Sequence, residues 1–355
     1  MTRTSLFGVY VHIPFCHHKC DYCAFATWVD KNQLIDEYMA ALRADIQRTE
    51  NMPQVDTVFV GGGTPSMVPA QSLVDVISLL PLAQTAEITV ECNPDDVTAE
   101  LMNTYVKGGV NRISMGVQSM VPHVLKTLGR THQPANVVRA VQAAQDAGIA
   151  SINLDIIYGA VSESLDDWRH TLEKAIALSP DHVSAYGLTV EPGTALATRP
   201  DDYPDDDDQA DKYLLANELL ESAGLMNYEI SNWARSGHEC RHNQMYWGQG
   251  NYFGFGCAAH SHKDGRRWWN VRTPERYIDC VARGVSTETA GETLDDDTRG
   301  REALELALRT REGVPVEALP VAELDDLVEQ RGDHAVLTIR GRLLANEISL
   351  RLRNR

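Results

Sequence analysis

The chain has 355 residues, is 43% hydrophobic and carries a net charge of −18, from 50 acidic against 32 basic residues. That length supports one large core with a smaller appended unit, and the acidity excludes a protein that tracks a nucleic-acid backbone with a cationic face. No apolar run reaches membrane-spanning length, Met1 to Ser5 lead straight into a strand without a signal peptide, and seven mostly unclustered cysteines suit a reducing compartment, so the expected location is the cytoplasm.

The chain opens on a strand-like run, residues 7–13, halted by Pro14. Cys16, Cys20 and Cys23 follow at C-x3-C-x2-C spacing, interleaved by His17, His18, Lys19, Asp21 and Tyr22. Thiolates this dense suit a soft metal or an iron–sulfur cluster; three of them hold three irons of a 4Fe-4S cube and leave the fourth open to a small molecule. Two plainer readings stand beside it. Positions i, i+4 and i+7 share one face of a buried helix, which Pro14 and the interleaved polar residues oppose. A Cys3His zinc site completed by His12, His17 or His18 lacks the second C-x2-C pair that structural zinc usually uses. The spacing matches the signature of radical S-adenosylmethionine (SAM) proteins. Cys92, Cys240, Cys257 and Cys280 show no ligand spacing among themselves and are expected to be inert.

Strand-like and helix-like segments then alternate. Strands are expected at 7–13, 56–60, 87–92, 111–117, 152–158 and 182–190, and amphipathic helices at 33–49, 71–80, 99–107, 136–147 and 165–177. The connections are too long for hairpins, so six βα units imply a parallel sheet with helices outside and ligand chemistry at the strands' carboxyl ends. The unusual residues fall there. The cysteine loop follows the first strand and Gly61-Gly62-Gly63-Thr64-Pro65-Ser66 the second. Glu91-Cys92-Asn93-Pro94 ends the third, Gly116-Val117-Gln118-Ser119 the fourth, Asp155 to Gly159 the fifth, and the sixth finishes at Thr189. Glu91 and Asp155 end apolar strands, where an idle charge is costly. The glycine run is either a plain βα turn or a cradle that holds an amino group; it lacks the Lys-Ser or Lys-Thr of a phosphate loop.

Four stretches carry a resemblance: Tyr10-Val11-His12-Ile13-Pro14-Phe15-Cys16, the Gly-Gly-Gly-Thr-Pro-Ser loop, Ser114-Met115-Gly116-Val117-Gln118 and Leu154-Asp155-Ile156-Ile157-Tyr158-Gly159. Together they resemble the oxygen-independent coproporphyrinogen III oxidase (HemN) family and, within it, its heme-chaperone (HemW) branch, from Tyr10 to about Glu347. The resemblance implies an α/β fold: a partial (β/α)6 radical SAM barrel over residues 1–225, a linking segment over 226–290, and a smaller helix-rich α+β domain over 291–355. It implies that Cys16, Cys20 and Cys23 ligate a 4Fe-4S cluster whose open iron SAM chelates through its amino and carboxylate groups. Tyr10 and Tyr22 would flank the cofactor, and Gly62, Gly63 and Thr64 would contact its methionine part. Glu91, Gln118, Arg130 and Asp155 would make polar contacts, with Thr189 near the adenine. Carboxylates suit ribose hydroxyls and an ammonium, and an Arg suits a carboxylate.

Beyond the barrel, Asp201 to Asp208 is an acidic run expected to be a solvated loop or helix start, 210–223 a helix and 228–233 a strand. His242-Asn243-Gln244-Met245-Tyr246-Trp247 precedes the glycine- and aromatic-rich stretch 248–256. A His can supply an axial nitrogen to heme iron, and flat aromatics can pack on a macrocycle. On spacing alone the plainer reading of His242, a capped or core histidine in a loop, is preferred. The run resembles the heme-binding motif of the chaperone branch, which makes His242 a heme ligand, with His260 and His262 as further candidates and Arg235 and Arg241 near enough in sequence to meet propionates.

The last part is expected to hold helices at 298–310 and 316–331 and a strand at 334–339, forming a cover or docking surface. The resemblance implies a chaperone that binds heme and a SAM-coordinated cluster and hands heme to an acceptor hemoprotein, one in a membrane among them. A homodimer is compatible with it; nucleic acid as a partner is not expected. The alternative is a radical SAM coproporphyrinogen III dehydrogenase. Its pattern has a fourth cysteine two residues after the third, where this chain has Phe25, and a longer segment ahead of the motif. Both departures leave the SAM apparatus intact. A tRNA- or protein-modifying radical SAM enzyme is opposed by the charge.

Overall fold

The computed structural model describes residues 6–353; the reading of Met1 to Ser5 as free of a signal lies outside them. In chain order the first two-thirds comprise β1 (Phe7–Ile13), α1 (Ile35–Arg48), β2 (Val55–Gly62), α2 (Ala70–Ile77), β3 (Leu82–Cys92), α3 (Ala99–Lys107), β4 (Arg112–Gln118), α4 (Pro122–Thr127), α5 (Pro134–Ala147), β5 (Ser151–Tyr158), α6 (Leu165–Ala177), β6 (His182–Gly187) and α7 (Asp206–Ser222). There follow β7 (Met226–Glu229), β8 (Asn232–Ala234), α8 (Arg241–Trp247), β9 (Asn251–Phe255), β10 (His260–Lys263), β11 (Arg266–Asn270), α9 (Pro274–Ala282), β12 (Glu288–Thr293) and α10 (Asp296–Leu308). The chain ends with β13 (Val314–Pro315), β14 (Val328–Arg331), β15 (His334–Leu337), α11 (Ile339–Leu343) and α12 (Ala345–Ser349).

β1 to β6 are parallel and lie side by side in sequence order. Crossovers of one hand that each advance one strand put the helices on a single face and curl the sheet around the other. This is the partial barrel of an α/β protein. β9 adds in parallel beside β1, extended by β10, β11 and β12, while β8 and β7 add beside β6. Residues 226–290 therefore extend the sheet at both sides.

Side chains alternate across a strand, and each strand here sorts cleanly. Val9, Val11, Val58, Val60, Ile88, Val90, Ile113, Met115, Leu154, Ile156, Val183 and Ala185 are buried in the main core under the helices. The alternate set faces the concave side and is mostly polar: Tyr10, His12, Thr57, Glu87, Thr89, Glu91, Arg112, Ser114, Asn153, Asp155, His182 and Ser184. Tyr186, in the same set, is 42% exposed, and its exposure is to the hollow of the sheet.

Several expected elements are corrected. The sixth strand stops at Gly187, where Leu188 N–H turns to Tyr158 O, so Thr189 stands beyond it. The expected strand 228–233 is a hairpin, β7 and β8, turned at Ile230-Ser231 and tied by Glu229, whose carboxylate accepts from Ser231 N–H and Asn232 Nδ2. α7 starts earlier than expected because Asp205 caps it, accepting from Asp208 N–H; the acidic run is a helix start, as the helix dipole favours. The expected helix 316–331 does not form. Pro320 forbids its continuation and leaves Leu319 extended, so short turns lead into β14, which pairs with β15 across Gly332. β13, β14 and β15 form their own sheet over a second core of Leu308, Val314, Leu319, Leu324, Val328, Leu337 and Ile348. Among the described residues no helix is long and apolar enough to cross a membrane.

Candidate functional site

The cysteine loop is pinned at both ends. Trp28 N–H donates to Pro14 O (2.8 Å), Cys16 N–H to Trp28 O (3.1 Å), and Cys23 N–H to Cys20 O (3.1 Å). His12 holds its far side: Nε2 donates to Ala26 O (2.9 Å) while Nδ1 accepts from the Tyr10 hydroxyl (3.0 Å). Both nitrogens of His12 are thus engaged, which removes it as a zinc ligand. His17 pairs with Asp96 (3.2 Å) and His18 is exposed. Among the described residues no three His, Cys, Asp or Glu side chains converge as one metal ion requires. A cube takes one thiolate per iron and needs no common point.

The thiols themselves are prepared for anionic character. Thr64 Oγ1 donates to Cys16 Sγ (3.6 Å) and Arg130 Nη1 to Cys20 Sγ (3.5 Å). Burial pushes the Cys16 and Cys23 thiols up, so they stay protonated until a cation replaces the proton. The donor set fits an iron–sulfur cluster.

The remaining expected residues gather around this loop from separate strand ends. Gly63 and Thr64 N–H groups donate to Ile13 O and Phe15 O (2.7 Å each), and a Cβ on Gly63 would meet Phe15 O at 2.5 Å, so only glycine lets the two loops lie this close. Gly62 N–H donates to Glu91 Oε2 (3.1 Å). With those N–H groups engaged, the run offers carbonyls, which are what an ammonium needs. Glu91 is pushed up to about 7 by burial and by the neighbouring charge of Asp155. Asp155 is raised by burial too, against hydrogen bonds from Ser114 Oγ (2.6 Å) and Asn153 Nδ2 (2.8 Å). Two carboxylates facing one hollow prepare it for a cationic guest.

Arg130 spans the gap between the cysteines and the fourth strand. Beyond Cys20 it donates from Nη2 to Gly116 O (3.1 Å) and Asn93 Oδ1 (3.4 Å), and from Nε to His132 Nδ1 (3.4 Å). Gln118 adopts a left-handed φ of 61° at the irregularity where β4 leaves β5. Tyr22 is half-buried against the apolar cluster of Val121, Val124, Leu128, Leu188 and Leu196. Tyr10 lies deeper, its hydroxyl turned to His12 and raised by burial. Thr189 is exposed on the rim, its hydroxyl donating to Gly187 O (3.3 Å).

The supporting residues were not singled out from sequence. Asn93 and Ser114 stood inside quoted strand ends, and Asn153 lies two residues before Asp155 on the same face, a signal the period of a strand carries. His132 and the Asp21–Arg199 pair (2.8 Å), which ties the cysteine loop to residues 196–202, had no such signal.

The HNxxYW run sits at the opposite end of the hollow. It is a helix, α8, and it covers the amino ends of β1, β2 and β3. Met245 packs on Gly8, where a Cβ would meet its sulfur at 2.6 Å. The Arg241 and His242 N–H groups both donate to the Glu87 carboxylate (3.0 Å each), the arrangement a helix amino end favours. His242 is 0% exposed. Its Nδ1 is 2.9 Å from Thr57 Oγ1, its ring lies among Phe59 (5.4 Å) and Tyr246 (4.6 Å), and its Nε2 has no hydrogen-bond partner. Burial and the nearby Arg112 push its pKa down to about 3. Of the other candidates, His262 is engaged at both nitrogens, by Gly250 O and Gly265 N–H, and His260 stacks on Trp269 (5.5 Å). Arg235 donates to Pro180 O and Ala223 O, and Arg241 to Thr85 O.

Residues 10–175 match the family model described as the radical SAM superfamily. Over its length the chain is similar to the heme chaperone HemW of Mycobacterium tuberculosis (41% identical, 96% of this chain and 93% of that protein) and of Bacillus subtilis (34%, 96% and 97%). The HemW of Escherichia coli is 43% identical over 78% of this chain and 77% of its own. In fold it is similar to the structure of coproporphyrinogen III oxidase (HemN) from Escherichia coli, described as a radical SAM enzyme, with a TM-score of 0.85 over 98% of this chain and 89% of that one, at 23% identity.

Proposed function

The chain belongs to the HemW heme chaperone family, and from that premise we propose that it binds heme together with a SAM-coordinated 4Fe-4S cluster and passes heme to an acceptor hemoprotein in a reducing, cytoplasmic setting. A membrane hemoprotein would suit as acceptor, and a homodimer would be compatible with the proposal. Cys16, Cys20 and Cys23 would hold the cluster, with Thr64 and Arg130 supporting the thiolates. Tyr10, Tyr22, Gly62, Gly63, Gln118 and Thr189 would frame SAM, while Glu91 and Asp155 would receive its cationic and hydroxyl groups and Arg130 its carboxylate. A cluster held by Cys16, Cys20 and Cys23 would supply, when reduced, the one-electron chemistry of the radical SAM superfamily.

His242 Nε2 is the observation that carries the heme half of this reading. A buried imidazole nitrogen without a partner is uncommon, and burial keeps the ring neutral, the only form with a lone pair for iron. In the tautomer whose Nδ1–H donates to Thr57 Oγ1, the lone pair falls on Nε2, free for iron. Heme titration of the cluster-reconstituted protein under anaerobic conditions, followed by Soret absorbance, tests it. Saturable binding near one heme per chain, weakened at least about tenfold in His242→Ala with cluster absorbance unchanged, is expected. Equal affinity in the variant removes His242 from the site.

A further inference from the structure

A hydrogen-bonded chain joins the two ends of the hollow, and its donors all point one way. Cys240 N–H, at the start of α8, donates to the Tyr228 hydroxyl (3.1 Å). That hydroxyl lies 2.7 Å from His182 Nε2, and His182 Nδ1 lies 2.6 Å from Asn153 Oδ1. An amide oxygen only accepts, so His182 carries its proton on Nδ1 and takes the Tyr228 proton at Nε2. Asn153 Nδ2 then donates to Ser114 Oγ (2.7 Å) and Asp155 Oδ1 (2.8 Å), and Ser114 Oγ donates to Asp155 Oδ2 (2.6 Å). Every link is buried or nearly so, and His182 is 0% exposed. Donors aligned toward a single carboxylate polarise one another, so holding Asp155 ionised strengthens each link as far as the N–H of Cys240, the residue that caps α8.

We propose that a cationic ligand seated at Asp155, SAM in the reading above, tightens the docking of α8 through Tyr228, His182 and Asn153, and thereby opposes heme at His242. The proposal rests on that reading of the two sites. Its direction follows from the contacts. A positive charge beside Asp155 holds it as the carboxylate, the form that accepts from Ser114 and Asn153 together. It also offsets the repulsion from Glu91. A fully anchored Cys240 keeps α8 against Glu87, Thr57 and Gly8, where His242 has no exposure to a ligand. Heme reaches Nε2 only as α8 lifts, so a ligand that holds α8 down competes with heme without touching it. Two further charged groups face this path: Glu87, which accepts from Cys240 Sγ (3.7 Å) as well as from the Arg241 and His242 N–H groups, and Arg112.

Peptide-resolved hydrogen exchange and heme titration of the cluster-reconstituted full chain, each with and without SAM, test this in wild type and in Tyr228→Phe. The variant keeps the ring that packs on Trp247 and His182 and deletes the hydroxyl that links Cys240 to His182. In wild type, SAM is expected to slow exchange over residues 240–247 and to weaken heme binding, each about tenfold, within the usual span of coupling between two sites. In Tyr228→Phe both responses vanish while SAM and heme still bind separately. His182→Leu breaks the chain at a second point and carries the test where Tyr228→Phe does not fold. SAM that binds wild type without changing exchange at 240–247, or a Tyr228→Phe that responds like wild type, overturns the proposal. Loss of SAM or heme binding in wild type itself is a different result: it removes the underlying site reading, and the coupling with it.

Discussion

The two ends of the hollow are built in opposite ways. At the carboxyl end, side chains from strand ends and loops far apart in the chain meet around Cys16, Cys20 and Cys23, and hydrogen bonds from Thr64, Arg130 and His12 hold them. At the amino end one short helix brings the whole motif, and the sheet grips it largely through its backbone, by Glu87. A site assembled from many strands is fixed by the fold and moves little. A site carried on seven residues moves as one piece. In the proposed reading the first would position a cofactor and the second would take up and release a guest.

The contrast breaks first at Glu87. Glu87→Ala leaves two helix-end N–H groups without their charged acceptor, and a loss of about 3 kcal/mol in urea unfolding is expected, with faster amide exchange over 240–248. A loss below about 1 kcal/mol would mean that apolar packing of Met245 and Tyr246, not the backbone grip, holds α8.

Glu91 sharpens the comparison at the other end. Its carboxyl is raised from 4.5 to about 7, so in the folded chain it resists ionisation, and stability present below about pH 4.5 declines as pH rises through 7. Glu91→Gln, which keeps an acceptor for Gly62 N–H, is expected to match wild type near pH 4 and to exceed it by about 2 kcal/mol at pH 8. Parallel pH profiles for the two proteins would show that the hollow is already polar enough to solvate the charge. The smallest effect is expected at Phe25, which is 68% exposed on the cysteine loop. Phe25→Ser changes stability by no more than about 0.5 kcal/mol, and iron content after reconstitution stays the same. A lower iron content would give that ring a place in the cluster's enclosure.

How much of each end could be read beforehand differs for the same physical reason. Three cysteines within eight residues declare a chemistry locally, and polar residues at the ends of apolar strands point to a common rim by periodicity alone. The chain through Tyr228, His182 and Asn153 is silent in sequence, because each residue sits in its own strand and passes for an ordinary one. His242 was visible as a motif, but its enclosure by α8 and β2 depends on a helix packing against strands nearly two hundred residues earlier. The misread segment 316–331 shows the limit of spacing. Val316, Leu319 and Leu327 fall at near-helical intervals, yet Pro320 and the turn at Gly332 overrule them.

The six parallel strands form an arc, not a ring: β9 lies beside β1 and β8 beside β6, and among the described residues β1 and β6 do not pair with each other. In a ring of strands, closure fixes stagger and diameter together, and eight strands leave just enough room for their own side chains. An arc has no such lock. Its curvature is set by what the inner faces hold, so the width of the hollow between the cysteine loop and α8 is not dictated by strand number.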